Sequence, residues 1–404
     1  MTELTARELL THLYETAVDA VDGRRLVQQW CRENASASFT HGIAIGKAAS
    51  AMLQGALDSQ HTLNSALLIT ASGRVPRDLL NNKRLVVVES SHPIPDASSV
   101  DAGKALLSYL HGITEQSSVL VLISGGASSL VEVPVDGLSV SQLQQANEYL
   151  LASGKDIHAI NAWRRRFSKI KGGGLLRYVK HLQCTQLIIS DVQGNDPAVV
   201  GSGPLVESET NETDDDDYLQ SLLPRQSQIA DDGRPVDTHV IGTNRMALNA
   251  VAEEAGGHQL AQHLHEDFIH GDAVEQGRLI GEYLRDAPAG VHVWGGETTV
   301  ELPCNPGLGG RNQSMALSMA AVIDGIEDLS VLVAGTDGID GNTPCAGAVI
   351  SGGSMQQVRQ MGFDLNTELA KANAGMILMA IGDLFRPGPS NTNVMDIIIA
   401  YKRV

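Results

Sequence analysis

The chain has 404 residues, enough for two domains that each bury a core of their own. Its 29 basic and 47 acidic side chains leave a net charge of −18, which excludes the broad basic face that a nucleic-acid binder needs. Aromatic residues make up only 4%, so Ala, Val, Ile and Leu must build the cores, while 41 glycines gather in short loops behind apolar runs.

Residues 4–30 show helical spacing, with Leu9, Leu10, Leu13, Ala17, Val21 and Leu26 on one side. Apolar runs of strand length follow at Gly42–Gly46, Ala66–Thr70, Leu85–Val88, Val119–Ile123 and Gln186–Ile189. Amphipathic stretches such as Ala97–Leu110 and Ser139–Leu151 lie between them. Runs without alternation, separated by helices, predict a parallel sheet covered on both faces. The first half therefore reads as a Rossmann-like, three-layer α/β/α domain. The acidic run Glu207–Asp217 reads as a solvated loop more readily than as a metal site. The polar stretch Pro224–Pro235 places the boundary, giving domains 1–230 and 231–404.

Beyond it, strands are expected at His239–Ile241, Val291–Trp294, Val300–Leu302, Val331–Ala334 and Ile397–Tyr401. Helices are expected at Ala247–Ala255, Asp272–Arg285 and Gln313–Ile323. The closeness of Val291–Trp294 to Val300–Leu302 predicts a hairpin, hence an α/β domain with a mixed sheet. No run approaches 18 continuous apolar residues and the N-terminus carries acidic side chains, so neither a membrane span nor a signal peptide is expected. Cys31, Cys184, Cys304 and Cys345 form no C-x-x-C pair, which reads as reduced thiols of a cytoplasmic protein.

If the substrates of so acidic a chain are anions, its few basic groups must gather at the site, and the candidates are Lys and Arg embedded in glycine loops. In Gly42–Ser50 (GIAIGKAAS) a strand ends at Gly46 and a helix begins at Lys47, where amides and an ammonium face an anion; a surface lysine in a turn is the equal alternative. Leu122–Ser129 (LISGGASS) offers Gly125 and Gly126 for close backbone approach and the hydroxyls of Ser124 and Ser128, although a plain turn explains it as well. Ile160–Leu176 (INAWRRRFSKIKGGGLL) is the densest positive cluster, with Arg164 and Lys171 as candidate phosphate or carboxylate ligands; some members serve as structural ion-pair partners. Asp191 follows a buried strand and could ligate a divalent cation or accept a hydroxyl proton, whereas Asp196 suits a turn cap better. In the second half, Asn244 and Arg245 stand between strand and helix, Glu297 sits in GGETT, and Gly310, Arg311 and Asn312 open an apolar helix. Arg311 could stabilise charge on a transferring phosphoryl group. Asp337 and Asp340 follow the strand VLVA in a loop with too few oxygen donors for an EF-hand.

These segments, in this order, resemble the class II glycerate kinases, the family that ends in a MOFRL domain. LISGGASSL, INAWRRRFSKIKGGGL, IISDVQGNDPAVVGSGP, GGETTVEL with GGRNQ, AGTDGIDG and GDLFRPGPSNTNVMD carry the resemblance across nearly the whole chain. It implies ATP-dependent phosphorylation of D-glycerate to 2-phosphoglycerate with Mg²⁺ or another divalent cation, and two α/β domains with a cleft between them. It implies that Lys47 and Arg311 are key groups. Beside them, the residues' own chemistry leads us to expect Asp191 as a catalytic residue, and Asp191 with Glu297 or Asp337 as metal ligands. Small-molecule substrates are then the partners, without nucleic acid or membrane, and a homodimer is compatible with the pattern. The sequence departs from the family at Thr70–Arg74, where a lysine and a histidine are lost, at Asn342–Pro344 and at Pro387–Asn391. Two rivals stand beside the kinase: a hydroxypyruvate reductase, for which no strand opens into G-x-G-x-x-G, and a non-catalytic sugar-acid-binding protein.

Overall fold

The computed structural model describes residues 4–92, 94–155, 157–207, 215–223 and 236–403. The chain divides into two compact units. One is continuous, Gly23–Gly242; the other joins Met1–Asp22 to Thr243–Val404.

The continuous unit holds β1 (His41–Ile45), β2 (Ser65–Ala71), β3 (Leu85–Ser90), β4 (Ser118–Ile123), β5 (Gln183–Ile189) and β6 (Asp237–Gly242). All six run parallel in the order β3-β2-β1-β4-β5-β6. β1, β2 and β4 are buried almost end to end because helices cover both faces, whereas the edge strand β3 leaves Val86 and Glu89 exposed. Helices Gly23–Glu33 and Ala49–Ser59 pack together on one face. On the other, Ala102, Leu106, Leu130 and Leu176 meet Ile43, Ile69, Val121 and Ile188. Capping boxes at Asp96–Ser99 and Ser139–Gln142 start the helices Ala97–His111 and Val140–Ala152. The strand order reverses between β1 and β4, and such a switch point leaves a crevice at the carboxyl ends of the strands.

The discontinuous unit holds β7 (Gln262–Leu264), β8 (Ile269–Asp272), β9 (Gly290–Thr299), β10 (Leu329–Gly335), β11 (Gly347–Ser351), β12 (Leu384–Phe385) and β13 (Asp396–Lys402). Their order is β12-β11-β10-β13-β9-β7, with β8 also paired to β9. β9 to β13 pair antiparallel, while β7 and β8 run parallel to β9, so the sheet is mixed. The buried helix Arg311–Val322 lies under this sheet with Ala273–Asp286 and Ala374–Ile381. Helices Ala6–Ala20 and Asn244–Gly257 pack on each other and on β9, β10 and β13.

Three expectations are corrected. Residues 4–30 form two helices, Ala6–Ala20 and Gly23–Glu33, that belong to different units. The expected strand His239–Ile241 lies in β6 of the parallel sheet, so the compact units part at Gly242 and not at residue 230. Val300–Leu302 forms no hairpin: β9 runs unbroken to Thr299, Leu302 is 62% exposed, and the antiparallel pairing comes from β10, β11 and β13 instead. Most of Glu207–Asp217 and all of Pro224–Pro235 lie outside the described residues; of the former, Asp216 accepts from the Leu219 amide and caps the helix Asp217–Ser221.

Candidate active site

At the switch point of the parallel sheet, Gly46 leaves β1 with φ +132°, and a Cβ there would sit 2.2 Å from the Ser124 hydroxyl. Only glycine fits both the backbone angle and the space. The Thr70 hydroxyl donates to the Gly46 carbonyl at 3.0 Å, and the buried Ser124 hydroxyl accepts from the Ala48 amide at 3.0 Å. The Lys47 amide donates to the Gly125 carbonyl at 2.9 Å. The amides expected to face a ligand at Lys47 and Ala48 are therefore already engaged. Among the described residues it is the amides of Gly125 and Gly126 that meet no acceptor. Gly126 has φ +82°, and a Cβ there would lie 2.9 Å from the His92 ring and 3.3 Å from Cγ of Lys47. Lys47 and His92 thus converge beside two open amides, with the half-buried Ser128 in the short helix that follows. His92 escaped the sequence reading because its context, SHPIP, shows only a loop.

Other expected residues of this unit are placed differently. Asp191 is the second residue beyond β5 and is half-buried. Asp196 accepts from the Ala198 amide at 2.9 Å, the turn-cap role. The Lys171 ammonium is buried against the Glu132 carboxylate, and Arg164 Nε donates to Asn147 Oδ1 at 2.9 Å. Both had been expected to bind substrate or nucleotide. The basic segment instead folds into the helix Ile157–Arg166 and the glycine turn behind it, and a lysine carried inside by that fold needs a carboxylate partner.

In the discontinuous unit the polar cluster forms where β9 ends, β13 begins and the helix Arg311–Val322 starts. Arg311 donates through Nε and Nη2 to the two carboxylate oxygens of Asp396, at 2.7 and 3.0 Å, and its Nη1 lies 3.0 Å from Glu297. Burial opposes its charge, but Asp396, Glu297 and Asp340 outweigh burial and hold the guanidinium above its ordinary range. Asn312 Nδ2 donates to Asp396 at 3.0 Å, while its buried Oδ1 meets no donor among the described residues. Asp340 accepts from the Asn312 and Gln313 amides at 3.1 and 2.9 Å and so caps the helix. Burial, with Asp396 adding, pushes the Asp340 carboxyl up to about 7 against those two amides and Arg311. Gly310 is obligatory here, since a Cβ would come within 2.3 Å of Asp340 Oδ1.

Asp337 accepts from the Ile339 amide at 3.1 Å. Beneath it, the Tyr14 hydroxyl donates to the Gly335 carbonyl at 2.8 Å, and burial together with Asp337 and Asp396 raises its pKa. Asn244, expected to bind substrate, has its amide on the carbonyls of Val394 and Asp396 at 2.8 and 3.1 Å and braces the start of β13. Arg245 pairs with Glu266 at the surface. Asp396 was the main omission of the sequence reading, although an acid opening the apolar run IIIA was its visible signal. Asp191, Glu297 and Asp337 are all hard oxygen donors, the chemistry that suits Mg²⁺ and not a soft metal.

Residues 9–228 match a family model described as a domain of unknown function (DUF4147), and residues 290–396 match the MOFRL family. Glycerate 2-kinase of Pyrococcus horikoshii is 32% identical over 99% of this chain and 98% of its own length. The chain belongs to the glycerate 2-kinase family. The solved structure of the Thermotoga maritima glycerate kinase agrees with this family's fold here: the TM-score is 0.85 at 27% identity, covering 98% of this chain and 99% of that one. A relative from Agrobacterium vitis, provisionally labelled hydroxypyruvate reductase, is 34% identical over 88% of this chain and 97% of its own length.

Proposed function

We propose that the protein transfers the γ-phosphoryl group of ATP to the C2 hydroxyl of D-glycerate, giving 2-phosphoglycerate and ADP. The observation that carries this reading is the anion cradle at the β1/β4 switch point, where the amides of Gly125 and Gly126 lie open beside Lys47 and His92. Such a cradle suits phosphate oxygens. Lys47 neutralises phosphate charge, with Gly46, Ser124 and Ser128 shaping the loop. Arg311, held in one orientation by Asp396 and Glu297, offers its remaining edge to phosphate or to the glycerate carboxylate. Asn312 supports this arrangement, its Nδ2 donating to Asp396. Asp191 accepts the C2 hydroxyl proton as that oxygen bonds to phosphorus and the bond to the ADP oxygen breaks. Mg²⁺ would neutralise the phosphates; its candidate ligands are Asp191 in the continuous unit, and Glu297 and Asp337 in the discontinuous one.

The reductase label finds no support in the residues. β1 runs into Gly46-Lys47-Ala48, not G-x-G-x-x-G, and β2 ends on Thr70 and Ala71 with no acid there to hold a nicotinamide ribose. Incubation with ATP, Mg²⁺ and D-glycerate, coupled to enolase without phosphoglycerate mutase, should give a signal that only 2-phosphoglycerate can produce. Silence in that assay with NADH consumption on hydroxypyruvate would replace the kinase by the reductase. Binding of glycerate with silence in both would leave the non-catalytic reading. Lys47→Ala should lower turnover by at least ~100-fold with the thermal midpoint retained, and near-normal rates would remove it from the reaction.

A cytoplasmic location and a homodimer belong to the same proposal. The four cysteines are free, and among the described residues no helix is long and apolar enough to cross a membrane. Fractionation of cells and sedimentation of the purified chain test the two points.

A further inference from the structure

A second cluster of ligating side chains lies on the discontinuous unit, on residues that the kinase reading leaves unused. His12 projects from the helix Ala6–Ala20. Glu254 stands in the last turn of Asn244–Gly257, and His258 ends that helix one turn further on. The i, i+4 spacing puts Glu254 and His258 on one helical face, and the packing of the two helices brings His12 to it. His12 Nε2 lies 2.8 Å and His258 Nε2 3.4 Å from the same carboxylate oxygen, Glu254 Oε1. One ligand atom from each of the three residues falls within 4.8 Å of the other two, and the imidazole rings meet edge to face at 5.8 Å.

We propose that His12, Glu254 and His258 form a binding site for a borderline transition-metal dication of the Zn²⁺ class, distinct from the divalent ion of phosphoryl transfer. Two imidazoles and one carboxylate are a three-ligand zinc set that leaves a fourth position for water. Metal–ligand bonds of about 2.0–2.1 Å in a tetrahedron put ligand atoms roughly 3.3 Å apart. The two distances to Glu254 Oε1 bracket that edge, so small side-chain rotations close the site without backbone movement. All three side chains are between one-third and one-half exposed, which leaves an entry path from solvent. Nitrogen donors favour Zn²⁺, Co²⁺ or Ni²⁺ over Mg²⁺, so the kinase ion does not compete here. An ion here would join the first helix of the chain to a helix beyond residue 243, closing the unit whose two segments are separated by Gly23–Gly242.

The test uses the full chain, stripped with chelator and titrated with Zn²⁺ by calorimetry, and with Co²⁺ by visible absorption. One equivalent of Zn²⁺ should bind, raise the thermal midpoint, and persist in excess Mg²⁺; bound Co²⁺ should show the intense d–d bands of a tetrahedral site. Loss of an outer-sphere partner alone costs about 10–100-fold in affinity, so His12→Ala and His258→Ala should each weaken Zn²⁺ binding at least tenfold and remove its effect on the midpoint. Turnover with ATP and glycerate should stay unchanged in both variants. His12→Asn and His258→Asn repeat the measurement if the alanine variants lose their far-UV spectrum. A wild-type chain that binds Zn²⁺ no better than the His12→Ala/His258→Ala double variant, or that gives no tetrahedral Co²⁺ spectrum, overturns the proposal and leaves a histidine–carboxylate ion-pair network.

Discussion

Arg311 shows how one side chain's chemistry is fixed by its neighbours. Its two-pronged contact with Asp396 needs a planar fork, which lysine lacks. Arg311→Lys should therefore lower kcat by about 10²-fold in the enolase-coupled assay while the protein still folds. A rate within threefold of wild type would mean that charge alone suffices. A second residue governs acid stability. His292 is fully buried in β9, with Nε2 on the Pro288 carbonyl at 2.9 Å and Nδ1 3.3 Å from His265. Burial pushes its pKa down to about 4, with His263, His265 and Lys402 adding and the Pro288 carbonyl opposing. Because the folded value lies below the unfolded one, this contribution is complete above about pH 6.5 and is lost as pH falls toward 4. The loss is on the order of 3 kcal/mol. Urea midpoints of wild type should fall more steeply over that interval than those of His292→Gln; parallel slopes would discount the effect. At this scale the sequence was partly legible. Lys47 and Arg311 stood out as cations in glycine loops, but Asp396 lies 85 residues from the arginine it orients, and no local pattern marks such a pair. Lys171 misled for the converse reason: Glu132, its buried partner, is 39 residues away.

The strands of the parallel sheet could be read directly, because burial on both faces removes polar alternation and leaves unbroken apolar runs such as SALLITA and SVLVLI. The short strands β7, β8 and β12 have three, four and two residues, too few to show a period. β11 reads GAVIS, whose small residues conceal a strand that is buried over four of its five positions. Helix packing in the mixed-sheet unit depends on missing side chains. Gly277, inside Ala273–Asp286, lets that helix approach Arg311–Val322 so closely that a Cβ would sit 2.3 Å from the Met315 carbonyl. Gly277→Ala gains helix propensity of up to ~1 kcal/mol, yet it must push two helices apart at a backbone contact. We expect a net destabilisation of about 2–3 kcal/mol, read as a lower urea midpoint with unchanged slope. A midpoint at or above wild type would show that the helices shift freely.

For the whole molecule, the polar break near residue 230 pointed to two domains, but the sequence hid which piece belongs to which. Asp22-Gly23 is a turn signal, but nothing in residues 4–30 shows that this turn parts two units, because one apolar stripe continues from Leu9 to Leu26 although its two halves face different cores. Leu9, Leu10, Leu13 and Tyr14 are buried within the unit that resumes at Thr243. At ~1.5–3 kcal/mol for each large apolar side chain, these four represent roughly 6–12 kcal/mol, comparable with the whole stability of a domain at about 5–15 kcal/mol. Deleting residues 1–22 should therefore unfold the mixed-sheet unit, seen as red-shifted emission from Trp294 and rapid proteolysis beyond residue 243, while Gly23–Gly242 stays resistant. Equal resistance of both units would refute this account.

The same arrangement sets a timetable for synthesis. The helix Ala6–Ala20 leaves the ribosome well before the sheet that covers it, which is encoded only after Gly242. At roughly 5–20 residues per second, the intervening stretch takes about 10–40 s to translate. Throughout that interval Leu9, Leu10 and Leu13 lack the sheet they pack on, so a nascent chain of this protein offers a holding chaperone the apolar face of this helix while the 220 residues Gly23–Gly242 fold behind it.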